Sequence, residues 1–170
     1  LWEASLHQKR NSNLFRFEKF LAKKFNYTPE QNYKKLFNWT IKNPKIFWSS
    51  IWEYSNLKGF KKDKFYFPKN IMKSRFFIQS KLNFAENLLS KNDNSKAVTF
   101  ISENGYREQK SWRELNYNTV KVVNFLNKIK IKEKDRIAAY TVNQIETVES
   151  FLATSAIGAI WSSCSPDFGT

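Results

Sequence analysis

Glycine, proline, cysteine and histidine are scarce in this chain, and each scarcity removes a class of function. Among 170 residues there are 4 Gly, 4 Pro, 1 Cys and 1 His. The glycines, Gly59, Gly105, Gly158 and Gly169, never cluster. They build neither a phosphate-cradling G-x-x-x-x-G-K-[ST] loop nor a dinucleotide G-x-G-x-x-G turn. A lone thiol, Cys164, cannot close an internal disulfide, which fits a reducing compartment. One Cys and one His cannot make a structural zinc site. His7 sits in a terminus that reads as frayed, so a histidine-based catalytic relay has little support. Cys164 follows an apolar run, where nucleophiles often sit. No basic partner is visible beside it, and a buried or loop thiol is the better reading. Nothing approaches the roughly 18 apolar residues of a spanning helix, and no charged-then-apolar leader opens the chain. The expectation is a soluble, cytoplasmic protein with no membrane partner.

Acidic residues are also in the minority, 15 Asp+Glu against 29 Lys+Arg, for a net charge of +14. Such an excess attracts phosphates, whether of nucleic acid or of an anionic cofactor. The lysines, however, are spread over every segment, which favours compositional bias. A basic, aromatic-rich nucleic-acid-binding module is the rival from another class, and no nucleic-acid partner is expected.

Aromatic residues are abundant, 16 Phe, 7 Tyr and 6 Trp, and in the first half they fall at helical spacing. Leu14, Phe17, Phe20, Leu21 and Phe25 share one face, predicting a helix over residues 12–25. Thr28, Pro29 and Gln31 form a start signal for a second helix, with Tyr33, Leu36, Phe37 and Ile41 along its face. Asn43-Pro44 repeats that signal before Phe47, Trp48, Ile51 and Trp52. Base stacking would need these rings exposed, and their spacing favours burial instead. Residues 58–81 alternate basic and aromatic residues and read as extended or irregular. Asn83 opens a short helix to about Leu89, and the polar stretch 90–95 reads as a linker and domain boundary.

The second half changes character. Ala97–Ile101 and Tyr106–Lys110 flank Asn104-Gly105, a hairpin signal with positive φ expected at both turn positions. Ser111 and Glu114 form a capping box for a helix carrying Trp112, Leu115, Thr119, Val122, Leu126 and Ile129. The lysines at 128, 130, 132 and 134 read as a solvated connection. Arg136–Tyr140 and Ala159–Ser163 read as buried strands. Ile145, Val148, Phe151, Leu152 and Ala156 form the helical stripe between them. Gly158 is placed for a left-handed helix cap. This is a βαβ unit with a parallel strand pair. Ligands in open α/β sheets bind beyond the carboxyl ends of strands, where residues 164–169 lie.

Four runs carry a resemblance: Leu82–Leu89, Ser111–Leu115, Asp135–Tyr140 and Ser155–Gly169. Leu1-Trp2 and the Asn-Pro-x-x-Phe-Trp pattern at residues 43–48 add to it. Together they resemble the N-terminal part of the acetoacetyl-CoA synthetases, within the acyl-adenylate-forming superfamily. The choice of acetoacetate rests mainly on residues 161–169. The fold class this implies is α/β: a helical N-terminal cap over residues 1–90, then over 96–170 the first hairpin and βαβ unit of a large, incomplete mixed-sheet adenylation domain. The activity it implies is a two-step acid–thiol ligation. ATP, with Mg2+, and acetoacetate give an acyl-adenylate and pyrophosphate, and CoA then displaces AMP. Acetate or propionate is the alternative acid. The family's phosphate loop, nucleotide site and mobile-domain lysine match nothing here, so no catalytic or metal residue is expected and the fragment alone should be inactive. The implied partner is the missing C-terminal portion of its own chain. Only Ser165, Pro166 and Asp167 match a loop that borders the CoA channel in relatives, without those relatives' glycines. A loop that merely orders neighbouring strands is the competing reading.

Overall fold

The computed structural model describes residues 2–29 and 32–167 and divides into two compact units, Leu1–Lys81 and Leu82–Thr170. The first unit is helical among its described residues: α1 (Leu6–Asn11), α2 (Asn13–Phe25), α3 (Tyr33–Lys42) and α4 (Pro44–Tyr54). α1 corrects the frayed terminus expected there. Ser5 and Gln8 build a reciprocal capping box that satisfies the first turn. α2 starts on a Ser12 cap and ends where Asn26 turns left-handed, with φ of 51°. The start signal around Thr28 does not open α3. Pro29 precedes the helix, Gln31 lies outside the described residues, and Asn32 caps instead, accepting from the Lys35 N–H. α4 begins at Pro44 as expected, although the Asn43 side chain donates backward to the Trp39 carbonyl rather than capping.

The faces of α2, α3 and α4 meet in a core of Phe17, Leu21, Tyr27 and Leu36, flanked by Phe20, Phe25, Trp39, Phe47 and Ile51. The predicted stripes are not fully consumed, since Leu14, Tyr33, Phe37 and Ile41 stay exposed. Residues 58–81 are irregular, as expected. They fold back on themselves through isolated bridges pairing Phe60 with Lys81 and Tyr66 with Arg75. Between the bridges Phe65 meets Phe77 at 4.7 Å and Phe67 meets Phe76 at 5.2 Å, which explains the alternation of aromatic and basic residues.

The second unit holds α5 (Phe84–Leu88), β1 (Lys96–Ile101), β2 (Arg107–Ser111), α6 (Trp112–Lys128), β3 (Arg136–Tyr140), α7 (Ile145–Ala156) and β4 (Ile160–Cys164). The polar stretch 90–95 is not where the compact units part. Ala85 of α5 is fully buried against Leu115 and Leu152, and Asn83 donates to the Ser155 and Ala156 carbonyls at 3.2 and 3.0 Å. α5 thereby joins the second unit and satisfies the carbonyl end of α7. β1 and β2 are antiparallel. Only Gly105 of their turn has positive φ, 85°, so the expected pair of left-handed residues is corrected. The Gly105 N–H closes on the Ser102 carbonyl and the Asn104 side chain accepts from the Tyr106 N–H, which gives a longer loop ending in a left-handed glycine. The Ser111–Glu114 capping box forms as read. The hydrogen bonds from Ser111, backbone first, hold the Glu114 carboxyl below its ordinary value.

β3 and β4 pair in parallel, Arg136 opposite Ile160 through Tyr140 opposite Cys164. Gly158 takes φ of 72° after α7, and a Cβ there would meet Glu133 Cγ at 3.0 Å. The strands are not buried as expected. Ile137, Ala139 and Trp161 are half-buried, Trp161 against Phe151 of α7, whereas Arg136, Ala138, Tyr140, Ile160, Ser162, Ser163 and Cys164 are exposed.

Candidate functional site

The loop after β4 sits where parallel-strand chemistry places ligands, at the carboxyl ends of β3 and β4. The Ser165 hydroxyl donates to Asp167 Oδ2 at 2.8 Å and accepts from the Asp167 N–H at 3.3 Å. The Tyr140 hydroxyl, from the end of β3, donates to the Pro166 carbonyl at 3.2 Å. The Thr141 N–H reaches the Cys164 carbonyl at 3.2 Å, carrying the pairing one step past the strands. Thr141 and Thr147 hydroxyls meet at 2.9 Å, and Thr147 donates to the Val142 carbonyl, joining the β3 end to α7. Ser165, Pro166 and Asp167 are therefore together, on a loop tied to both strand ends. Phe168, Gly169 and Thr170 lie outside the described residues.

The loop's described side chains offer few free polar groups. Its one hydroxyl is spent on its one carboxylate. Cys164 is exposed and no described lysine, arginine or histidine pairs with Asp167. His7 lies on α1, near Asn11 at 2.9 Å. Among the described residues no three His, Cys, Asp or Glu side chains come together, so this set does not fit a metal ion. No described helix is long and apolar enough to cross a membrane.

Sequence reasoning missed the strongest electrostatic feature. Lys110 of β2 reaches Glu149 of α7 at 3.2 Å, Glu146 at 3.4 Å and Glu108 at 3.5 Å, and Asn118 of α6 donates to Glu149 at 2.8 Å. Glu149 is buried. Burial alone would lower the Lys110 ammonium, but the hydrogen bond and charge of Glu149 and the charges of Glu146 and Glu108 together outweigh it and raise it. The signal was legible: Glu149 falls four residues after Ile145, on the apolar face of α7. A second network, Lys24 and Lys61 on Glu53 at 3.1 and 3.3 Å, ties the helices of the first unit to its irregular segment and lowers the Glu53 carboxyl through the Lys24 hydrogen bond. Both networks are structural ties between elements, and neither lines a described cleft. A cleft of about 520 Å3 lies in the first unit between Lys9, Phe15, Glu18 and Tyr33.

No family model matches the chain. Acetoacetyl-CoA synthetases match it at 30–36% identity over most of its length. That of Rhizobium meliloti is 36% identical over 139 residues, 81% of this chain and 21% of its own. A malonamoyl-CoA synthetase of Penicillium aethiopicum is 30% identical over 99% of this chain and 24% of its own. The acetoacetyl-CoA synthetase structure from Streptomyces lividans superposes with a TM-score of 0.87 at 24% identity, covering 99% of this chain and 27% of that one. The chain thus spans about a quarter of the length of the relatives it matches. By sequence it is a homologue of the acetoacetyl-CoA synthetases, and its fold is that of the corresponding part of an acyl-CoA synthetase.

Proposed function

We propose that this chain is the architectural first part of a cytoplasmic acid–thiol ligase that makes acetoacetyl-CoA. The observation that carries the reading is homology to acetoacetyl-CoA synthetases across most of the chain together with the matching fold. In this reading the enzyme joins ATP and acetoacetate into an acyl-adenylate with release of pyrophosphate, and the CoA thiol then displaces AMP. The chain's own contribution is a helical unit, residues 1–81, and the opening elements of the adenylation domain, residues 82–170. In this reading Mg2+ and the phosphates are held by the rest of the enzyme. The 170 residues alone are expected to be inactive. Acetoacetate-dependent ATP–pyrophosphate exchange by the purified chain would reject that.

Ser165, Pro166 and Asp167 are assigned to the wall of the CoA channel. The support is their place at the carboxyl ends of a parallel pair and the ties from Tyr140 and Ser165 that fix the loop. In the full-length protein, Asp167→Ala frees the Ser165 hydroxyl and loosens the loop. The expected outcome is a three- to tenfold higher KM for CoA with the KM for ATP and acetoacetate unchanged. An unchanged KM for CoA would return the loop to a purely structural role.

The malonamoyl-CoA synthetase match, spanning 99% of the chain, favours a second reading in which the acid is another short carboxylate. Full-length protein assayed with acetoacetate, acetate, propionate and malonamate decides. Any acid with a higher kcat/KM than acetoacetate rejects the first choice.

A further inference from the structure

Residues 64–81 hold 5 Lys or Arg and no Asp or Glu. The acid just before them, Asp63, is already taken by Lys61 at 3.2 Å and by the Ser49 hydroxyl at 2.6 Å. This stretch folds as an arm with a packed root and a bare tip. At the root Phe77 meets Phe65 at 4.7 Å and Trp52 of α4 at 5.0 Å. Nearer the tip Tyr66 and Arg75 exchange backbone hydrogen bonds at 3.0 and 2.8 Å. The chain then reverses through one short turn, Ile71–Lys73, whose cap Asn70 accepts from the Met72 N–H at 3.0 Å. These bonds fix the turn and leave its two aliphatic side chains in water, Ile71 at 78% and Met72 at 89% exposure. Lys69, Lys73 and Arg75 flank them and are exposed, and among the described residues none of the three has an acidic partner. Aliphatic residues exposed singly are ordinary. Two adjacent ones on a braced turn, amid cations without counter-charges, form a surface that selects a partner.

We propose that this arm anchors the protein at an anionic membrane surface, with Ile71 and Met72 entering the headgroup boundary while Lys69, Lys73 and Arg75 engage the lipid phosphates. A bilayer presents an anionic layer over an apolar one. The arm presents its groups in the matching order, aliphatic in front and cationic behind. Lys and Arg stems lie along the acyl boundary and keep their charges among the headgroups. A nucleic acid fits less well, since Ile71 and Met72 have no ring face to stack on a base. An acidic protein matches the charges but needs a pocket for both aliphatic side chains as well. The expectation of no membrane partner concerned spanning segments, and a surface anchor needs none. Two side chains and a few cations make a reversible anchor, and its exposed charges are screened over about 10 Å at roughly 0.1 M salt.

The test is co-sedimentation of the full-length protein with vesicles of phosphatidylcholine, either pure or containing about 30% phosphatidylserine. Partitioning onto the anionic vesicles should be about tenfold stronger or more at roughly 0.1 M salt, and should fall about tenfold at roughly 0.5 M. A net charge of +14 draws any variant toward anionic lipid, so the deciding variant keeps the charge. Ile71→Ser/Met72→Ser should weaken partitioning about tenfold. Lys69→Gln/Lys73→Gln should weaken it by a similar factor. Both pairs are exposed, so their urea midpoints should stay with the parent's, and Met72→Ser alone reads the same contact if the first pair does not fold. Equal binding to pure and anionic vesicles, or none to either, overturns the proposal. So does parent-like partitioning of Ile71→Ser/Met72→Ser, which would leave only general charge attraction. Binding of single-stranded RNA that Lys69→Gln/Lys73→Gln weakens, without vesicle binding, would make a nucleic acid the partner instead. Vesicle binding by an enzyme that rejects acetoacetate would sink the substrate reading alone, whereas an acetoacetate ligase indifferent to lipid would sink this one alone.

Discussion

Replacing Lys110 by methionine tests what holds the second unit together. The side chain is 16% exposed and its closest carboxylate, Glu149, 7%. Methionine keeps the length and the apolar stem while removing the ammonium. Glu149 is then a buried charge whose remaining described partner is Asn118, at 2.8 Å. Stranding one member of a fully buried pair costs about 3–5 kcal/mol. Two features reduce that here. Asn118 still solvates one oxygen, and Glu146, 56% exposed, returns to water without penalty. The expected loss is therefore about 2–3 kcal/mol. The double substitution Lys110→Met/Glu149→Leu removes both charges and should lie within about 1 kcal/mol of the parent. The two units need not unfold together, so global melting is a poor probe. Exchange of the buried α7 amides, such as Leu152 and Ala153, reads the opening of this unit, and protection should fall by about 30- to 150-fold in the single variant. A single variant within about 0.5 kcal/mol of the parent, or a double variant as weak as the single, would refute the account. The pH dependence has a definite sign. The ammonium is raised above its ordinary value of 10.5 in the folded state, so its contribution is complete below that pH and is lost as pH climbs through the higher folded value. Lys110→Met should lack that alkaline limb.

Two further substitutions probe local strain. The Thr119 hydroxyl is buried in α6 with no described hydrogen-bond partner, so isosteric Thr119→Val should stabilise the chain by about 1 kcal/mol in urea unfolding, and destabilisation would reveal a hidden partner. Lys130 and Lys134 hold left-handed φ values of 65° and 73° between α6 and β3, and Lys134→Gly should gain roughly 0.5–1 kcal/mol once glycine's own entropy is subtracted, with a loss showing that the Lys134 side chain packs.

Where one local signal decided the outcome, the sequence was readable. Asn83, Ser111 with Glu114, Pro44 and Gly158 each punctuate the chain where their chemistry says they should. Where signals competed, distance along the chain mattered. Thr28 lost the cap of α3 to Asn32, a stronger capping residue closer to the apolar stripe. The polar stretch 90–95 looked like a boundary because polarity is local, whereas the burial of Ala85 against Leu115 and Leu152 depends on residues 30 and 67 positions away. The strands 136–140 and 160–164 have the composition of buried parallel strands, yet this chain supplies a cover for one face only. For the candidate site, periodicity located the loop beyond β4 but said nothing of the Tyr140 and Ser165 ties that shape it. Its proposed role came from the resemblance, and the position at the strand ends supports it.

Acetoacetate and malonamate differ only at the far end, a methyl group against an amide nitrogen. A site tells such a pair apart by burying a polar partner for the amide or an apolar seat for the methyl. Among the described residues the one buried side-chain polar atom without a partner is Thr119 Oγ1, which lines none of the described clefts. The loop at the strand ends has already paired its hydroxyl with its carboxylate. Synthetases named for either acid match this chain over 99% of its length, so neither name is tied to a fold change in this region. The selecting groups are therefore expected in the rest of the enzyme. Grafting this chain into the Penicillium aethiopicum malonamoyl-CoA synthetase, in place of its matched 24%, should leave the preference for malonamate intact. The ratio of kcat/KM values for the two acids is expected to stay within about threefold of the recipient's. A shift of tenfold or more, about 1.4 kcal/mol of differential transition-state binding, toward acetoacetate would mean that this segment contacts the acyl group and that the CoA-side assignment of Ser165–Asp167 is wrong.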